Sequence, residues 1–229
     1  MFKGIVTDVF FDLDHTLWDF EKNSELTFQH IFKEHNIPVD LTVFLQAYVP
    51  INFEMWKLFR EEKVAKEELR YQRLKKTFDA VGYNATDKEI DLLSEGYIEH
   101  LSSFNHTFPG VQEVLDYLKP NYKLHIITNG FGQVQAKKLR NANIQDFFDV
   151  VVNSEMAGVK KPNPKIFKMA LDMAKVAPAN ALMIGDNLEA DILGAKDLGF
   201  HTLHFNSNGE EEHQICDIIY KLEEIKTYL

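Results

Sequence analysis

The 229-residue chain carries 25 basic and 35 acidic side chains, a formal net charge of −10 at pH 7. That balance disfavours a duplex nucleic-acid binder, which needs a basic surface, but not a small anionic ligand held by a metal ion or a few local cations. Hydrophobic residues at 45% and charged residues at 26% are ordinary for a globular chain long enough to bury one large core, or a core with an insertion.

The first element is a strand over residues 4–12. Its apolar run, Ile5 to Phe11, reads as buried on both faces and ends in Asp12, Asp14 and Thr16 at alternating positions. Two acids at the end of a hydrophobic strand are costly without a cation or a protonated partner. From about Asp19 the pattern changes. Segments 22–36, 40–62, 66–82 and 86–103 carry apolar residues at helical spacing, punctuated by Asn36-Ile37-Pro38, Gly82-Tyr83-Asn84 and Thr86-Asp87.

After Phe108-Pro109-Gly110, helices and strands alternate. Helices over 111–118, 131–142, 164–175 and 188–198 precede strands over 123–128, 150–153, 181–184 and 201–205, and a last helix is predicted over 212–226. The alternation implies βαβ units and a parallel sheet. The fold class is therefore α/β, a Rossmann-like parallel-sheet core formed by 1–17 and 106–229, with an all-helical domain inserted over 18–105. The single cysteine, Cys216, allows no intrachain disulfide and reads as a packing residue of the last helix. Neither a signal peptide nor a long apolar run opens the chain, so the expected location is cytoplasmic, with no membrane partner.

Four polar sets each fall just past the C-terminal end of a predicted strand: Asp12 with Asp14, Thr128-Asn129-Gly130, Lys160-Lys161-Pro162, and Gly185-Asp186 through Asp191. Each has a plain structural reading. Asp14 or Asp19 can cap a helix, Asn129-Gly130 can be a turn, Asp186 with Glu189 fits a capping box, and Lys161 can be a solvated neighbour of the Asn163-Pro164 helix start. Those readings do not explain why all four lie on one sheet edge, where open parallel sheets bind ligands.

These residues resemble the phosphatases of the haloacid dehalogenase superfamily. Asp12-Leu13-Asp14-His15-Thr16, Thr128 with Asn129-Gly130, Lys161 in Lys-Pro-Asn-Pro, and Gly185-Asp186 to Asp191 match its four motifs in order, and the helical insertion resembles its helical cap domain. His15 departs from the family's usual Gly or Glu. The resemblance implies a phosphate monoester as substrate, Mg²⁺ as cofactor, Asp12 as nucleophile and Asp14 as general acid and base. It also implies Mg²⁺ ligation by Asp12, Asp186 and the Asp14 main-chain carbonyl. Asp191 would steady a water at the metal or Lys161, and Thr128, Asn129, Gly130 and Lys161 would bind phosphate. Lys161 is preferred to Lys160 by resemblance alone. The chemistry is self-consistent: a carboxylate cannot approach a phosphate anion unassisted, and Mg²⁺ takes oxygen ligands.

Within the superfamily, Ile127 to Phe131, the helix containing Gln133, Gln135, Leu139 and Arg140, Phe147-Phe148-Asp149 and Val159 to Phe167 are similar to the bacterial pyrimidine 5′-nucleotidases. Trp18, Phe20 and His15, beside the first motif, are the candidates for substrate selection. Phe44, Tyr48, Phe53, Trp56 and Phe59 read mainly as the insertion's own core. A sugar-phosphate or small-acid phosphatase and a β-phosphoglucomutase share the motifs. A 2-haloacid dehalogenase would not need Asp14, and an inactive phosphate sensor would not need all the acids.

Overall fold

In the computed structural model, which describes residues 2–229, the opening apolar run becomes strand β1 (Asp8–Phe11), four residues buried on both faces. Five further strands, β2 (Lys123–Thr128), β3 (Phe148–Asn153), β4 (Ala181–Gly185), β5 (His201–Phe205) and β6 (Asp217–Ile219), join it in the order β3-β2-β1-β4-β5-β6. Every pairing is parallel. Val9 faces Leu124 on one side and Leu182 on the other, so β1 is central and its apolar composition follows from burial by both neighbours.

The chain divides into two compact units, one comprising the residues up to Phe20 and Asn105–Leu229, the other Glu21–Phe104. In the first, the outgoing and returning segments run side by side. Trp18 bridges Thr107 in antiparallel fashion, the Asp19 N–H donates to the His106 carbonyl and the Phe108 N–H to the Leu17 carbonyl. Phe10, Ile127, Val152 and Met183, from four adjacent strands, pack on Ile166, Phe167 and Ala170 of helix α8 (Pro164–Ala174). Burying each large side chain contributes roughly 1.5–3 kcal/mol, and this layer fixes the strand ends from which the polar loops start.

The second unit contains α1 (Phe20–Glu34, starting one residue before the division), α2 (Leu41–Arg60), α3 (Lys66–Ala80) and α4 (Asp87–His100). Asp40 caps α2 by accepting from the Val43 N–H, and Thr86 and Glu89 form a reciprocal capping box on α4. Its core is aromatic: the Phe28 ring lies 4.9 Å from Phe44, 4.6 Å from Tyr48 and 4.7 Å from Tyr97. Phe44, Tyr48 and Phe59 are buried there, whereas Phe53 and Trp56 are half-buried.

Helices α5 (Val111–Leu118), α6 (Gly132–Asn141), α7 (Ser154–Ala157) and α9 (Gly194–Lys196) complete most of the α/β layer. Two segments differ from the sequence-based expectation. Residues Leu188–Leu193 form a π-turn rather than the start of a regular α-helix. The predicted helix over 212–226 is instead a loop, strand β6, a 3₁₀ turn (Leu222–Glu224) and the short α10 (Ile225–Tyr228). Ile215, Ile218 and Ile219 mimic helical spacing, but the β-branched pair is used to extend the sheet, with Ile219 beside Phe205. Cys216 precedes β6 and is half-buried; burial pushes its thiol pKa up. Among the described residues, no helix is long and apolar enough to cross a membrane.

Candidate active site

The sheet runs outward from β1 to β3 on one side and from β4 to β6 on the other, so its topological switch lies between β1 and β4. Ligand crevices of open parallel sheets lie at that point, beyond the strand C-termini. Asp12 directly follows β1, and its N–H still donates to the Ile184 carbonyl of β4 at 2.9 Å. Asp186 directly follows β4. Asp191 arrives one π-turn later, with Oδ2 accepting from the Asn187 N–H at 3.1 Å. Asn187, rather than Asp186, caps that turn, by accepting from the Ala190 N–H. Asp186 is left to bond elsewhere, accepting from Thr16 Oγ1 at 3.3 Å and Asn208 Nδ2 at 2.8 Å. Gly185 permits the approach of Asp191, because a Cβ there would collide with the Asp191 carboxylate.

Lys161 is buried among these acids. Its Nζ lies 2.5 Å from Asp12 Oδ1 and 2.7 Å from Asp191 Oδ1, and donates to the Ile127 carbonyl at 2.6 Å. Asn129 aims it. The Asn129 Oδ1 accepts from the Lys161 N–H at 2.7 Å, and its Nδ2 donates to the Lys161 carbonyl at 3.0 Å. Burial alone would lower the Lys161 pKa, but the carboxylates of Asp12 and Asp191 raise it, so the ammonium stays charged. Lys160, by contrast, is only half-buried.

Carboxylate oxygens of Asp12, Asp186 and Asp191 lie within 4.8 Å of one another, and all three residues are buried. Burial raises the Asp12 pKa to about 7; Lys161 opposes the shift, and Asp191 and Asp14 add to it. Burial raises Asp186 as well, followed by the charges of Asp191 and Asp12. Three buried carboxylates beside one lysine are short of positive charge, and their donor set is all oxygen. A divalent cation of the hard, oxygen-preferring kind fits this cluster in both charge and ligand chemistry.

Asp14 behaves differently from Asp12. Its carboxylate is absent from that cluster and is bound by α6 instead, accepting from Gln135 Nε2 at 2.8 Å and pairing with Lys138 Nζ at 2.5 Å. Gln135 also donates to Thr128 Oγ1 at 2.7 Å, and Thr128 Oγ1 accepts from the Gly130 N–H at 3.1 Å. The Lys138 ammonium sits 4.1 Å from the centre of the Trp18 ring and 5.3 Å from that of Phe20, within cation–π range. His15 adopts a left-handed backbone (φ 62°), and its ring lies 4.9 Å from Phe20. Burial, with the nearby Lys138 charge and against that of Asp14, lowers the His15 pKa to about 4, so its imidazole is neutral near pH 7.

The expected residues thus fall into two adjoining groups. Asp12, Lys161, Asp186 and Asp191 meet directly, with Asn129 behind Lys161. Asp14, Thr128 and Gly130 are tied to Gln135, while Trp18 and Phe20 flank Lys138 and His15 touches Phe20. Sequence reasoning used Gln135 as a mark of the family resemblance without giving it a place in the site, and did not single out Lys138 or Asn208. The first two lie three residues apart on the buried face of α6, where polar side chains need partners. That mismatch with an apolar helix face was the available signal; for Asn208, in a polar loop, there was none.

The chain is similar to known proteins over most of its length. The model of the haloacid dehalogenase-like hydrolase family matches residues 9–205. The chain is 30% identical over 214 residues to pyrimidine 5′-nucleotidase PynA of Streptococcus pneumoniae, covering 93% of this chain and 89% of that protein. It is 36% identical over 201 residues to a glyceraldehyde 3-phosphate phosphatase of Pyrococcus abyssi, covering 86% and 80%. Among solved structures, magnesium-bound YfnB of Bacillus subtilis superposes with a TM-score of 0.87 at 28% identity, covering 98% of both chains. With the motif residues converging at the switch point and the family match spanning most of its length, the chain belongs to the haloacid dehalogenase-like hydrolases.

Proposed function

We propose that this hydrolase is a Mg²⁺-dependent phosphomonoesterase acting through an aspartyl-phosphate on Asp12, with a pyrimidine nucleoside 5′-monophosphate as its substrate. The observation that carries the reading is the pairing of Asp12 with Lys161 beside Asp186 and Asp191 at the β1/β4 switch point. The similarity to PynA supports the nucleotide, and the magnesium held by YfnB supports the metal.

Asp12 and Asp186, with the Asp14 main-chain carbonyl, would hold Mg²⁺. When bound, the ion supplies positive charge that offsets the repulsion between nucleophile and phosphate and stabilises charge developing on the phosphoryl oxygens. Lys161 binds one of those oxygens while keeping Asp12 oriented, and the Thr128 hydroxyl with the Asn129-Gly130 backbone binds the others. An Asp12 carboxylate oxygen attacks phosphorus as the phosphorus–oxygen ester bond breaks. Asp14, in its acid form, gives its proton to the leaving oxygen. As a carboxylate it then takes a proton from the water whose oxygen attacks phosphorus, releasing inorganic phosphate and free Asp12. For this Asp14 leaves its bonds to Gln135 and Lys138. The helical unit acts as the family's cap and selects the substrate.

A second reading, a sugar-phosphate phosphatase, is favoured by the 36% identity to the Pyrococcus abyssi protein. Phosphate release from a panel of pyrimidine and purine 5′-monophosphates, glyceraldehyde 3-phosphate and other small phosphates separates the two. Pyrimidine monophosphates are expected to have the highest kcat/KM. A wide margin in favour of sugar phosphates overturns the nucleotidase assignment, and undiminished hydrolysis in chelator overturns the metal.

A further inference from the structure

We propose that the helical unit carries a metal site of its own, formed by His30, Glu34 and His100 and suited to Zn²⁺. His30 and Glu34 are one turn apart on α1 and therefore share a face; His100 is the last residue of α4. The three residues each offer one ligand atom within 4.8 Å of the others. Glu34 Oε2 lies 3.5 Å from His30 Nε2 and 3.9 Å from His100 Nε2. Tetrahedral Zn²⁺, bound at ~2.0–2.1 Å, separates its ligand atoms by roughly 3.3 Å. Against that separation the two Glu34 contacts are long by roughly 0.2 and 0.6 Å, and side-chain rotation would close the set.

The helices are built to make this approach. Ser24 Oγ and Tyr97 OH lie 2.9 Å apart, and Ile31 packs beside Gly96. The two imidazole rings consequently lie 4.5 Å apart, edge to face. Two closely spaced imidazoles beside one carboxylate make a nitrogen and oxygen donor set of three protein ligands, the number that leaves the fourth tetrahedral position to water. Side-chain exposures of 48% for His30, 49% for Glu34 and 30% for His100 leave the site open to entry from solvent.

Its chemistry differs from that of the buried Asp12–Asp186–Asp191 cluster. Mg²⁺ prefers an all-oxygen shell, whereas imidazole favours Zn²⁺ and its first-row neighbours. Binding would join the first and last helices of the unit and so stabilise it by mass action. As a mere surface ion pair between His30 and Glu34, the same contact would contribute little.

The test uses the full-length protein, stripped with chelator and returned to excess Mg²⁺. Zn²⁺ is titrated by calorimetry, and Co²⁺ is followed by its visible absorption. The wild type is expected to bind one Zn²⁺ at this site, with a rise in Tm and the intense bands of tetrahedral Co²⁺. His30→Ala and His100→Ala should each weaken Zn²⁺ roughly tenfold or more and abolish the Co²⁺ bands, while His35→Ala should not. Binding should persist in Asp186→Asn. Unchanged Zn²⁺ affinity in both histidine variants overturns the site, as does loss of all Zn²⁺ binding in Asp186→Asn.

Discussion

Asp12 and Asp14, two residues apart, have their carboxylates held by different lysines: Lys161 Nζ lies 2.5 Å from Asp12 Oδ1, and Lys138 Nζ lies 2.5 Å from Asp14 Oδ1. The turn after β1 separates two acids that a continuing strand would have aimed to one side. One faces the three-carboxylate cluster, and the other faces α6. This separation suits them to the distinct roles proposed for them, nucleophile and general acid–base.

Asp14→Asn should therefore lose chemistry without losing Lys161 or the acid cluster. On a nucleoside monophosphate, whose leaving oxygen needs a proton, kcat is expected to fall by about 10²–10⁴. With p-nitrophenyl phosphate, whose leaving group departs unprotonated, the first-turnover burst should survive. Rapid-mixing measurement of p-nitrophenolate checks this, and equal loss of the first turnover on both substrates would count against Asp14 as the acid.

Lys161→Met should abolish turnover and also destabilise the fold. It leaves Asp12 and Asp191 without their shared counter-charge in a buried site, and removing one partner of such a pair costs roughly 3–5 kcal/mol. Urea unfolding of the metal-free protein measures the loss. Mg²⁺ should restore part of it, because the added charge replaces some of what the lysine supplied.

The acid cluster makes stability depend on pH and on metal together. In the metal-free protein the Asp12 pKa is about 7, against an ordinary 3.8, with burial the main cause. The folded state thus keeps a proton that the unfolded chain releases. This group's contribution is full below about pH 4 and is lost as pH rises through about 7. Mg²⁺ requires the deprotonated ligands, so the rise in Tm that it causes should be larger near pH 8 than near pH 5. Thermal unfolding with chelator or Mg²⁺ at both pH values checks the sign. An equal or smaller Mg²⁺ effect at the higher pH contradicts it.

Much of the α/β core was legible because each buried parallel strand is an apolar run ending in polar residues: Phe11 before Asp12, Ile127 before Thr128, Ile184 before Gly185-Asp186. Their spatial order was not legible, because a strand's own sequence does not name its neighbours. Only the sheet order shows that β1 and β4 adjoin and bring Asp12 beside Asp186. The contacts of Lys138 and Gln135 with Asp14 were not legible because long polar side chains on a helix usually face water, whereas here both are buried. The C-terminal strand was misread as helix because Ile215, Ile218 and Ile219 satisfy helical spacing while serving a sheet edge.

The Asp12→Asn variant tests the central claim most directly, by phosphate release from a pyrimidine 5′-monophosphate in saturating Mg²⁺. The substitution is nearly isosteric and removes a buried negative charge, so the folded state should be retained by circular dichroism and thermal unfolding. Turnover is expected to fall at least about a thousandfold, because the attacking oxygen has been replaced. A folded Asp12→Asn protein that turns over within tenfold of the wild type would contradict the account.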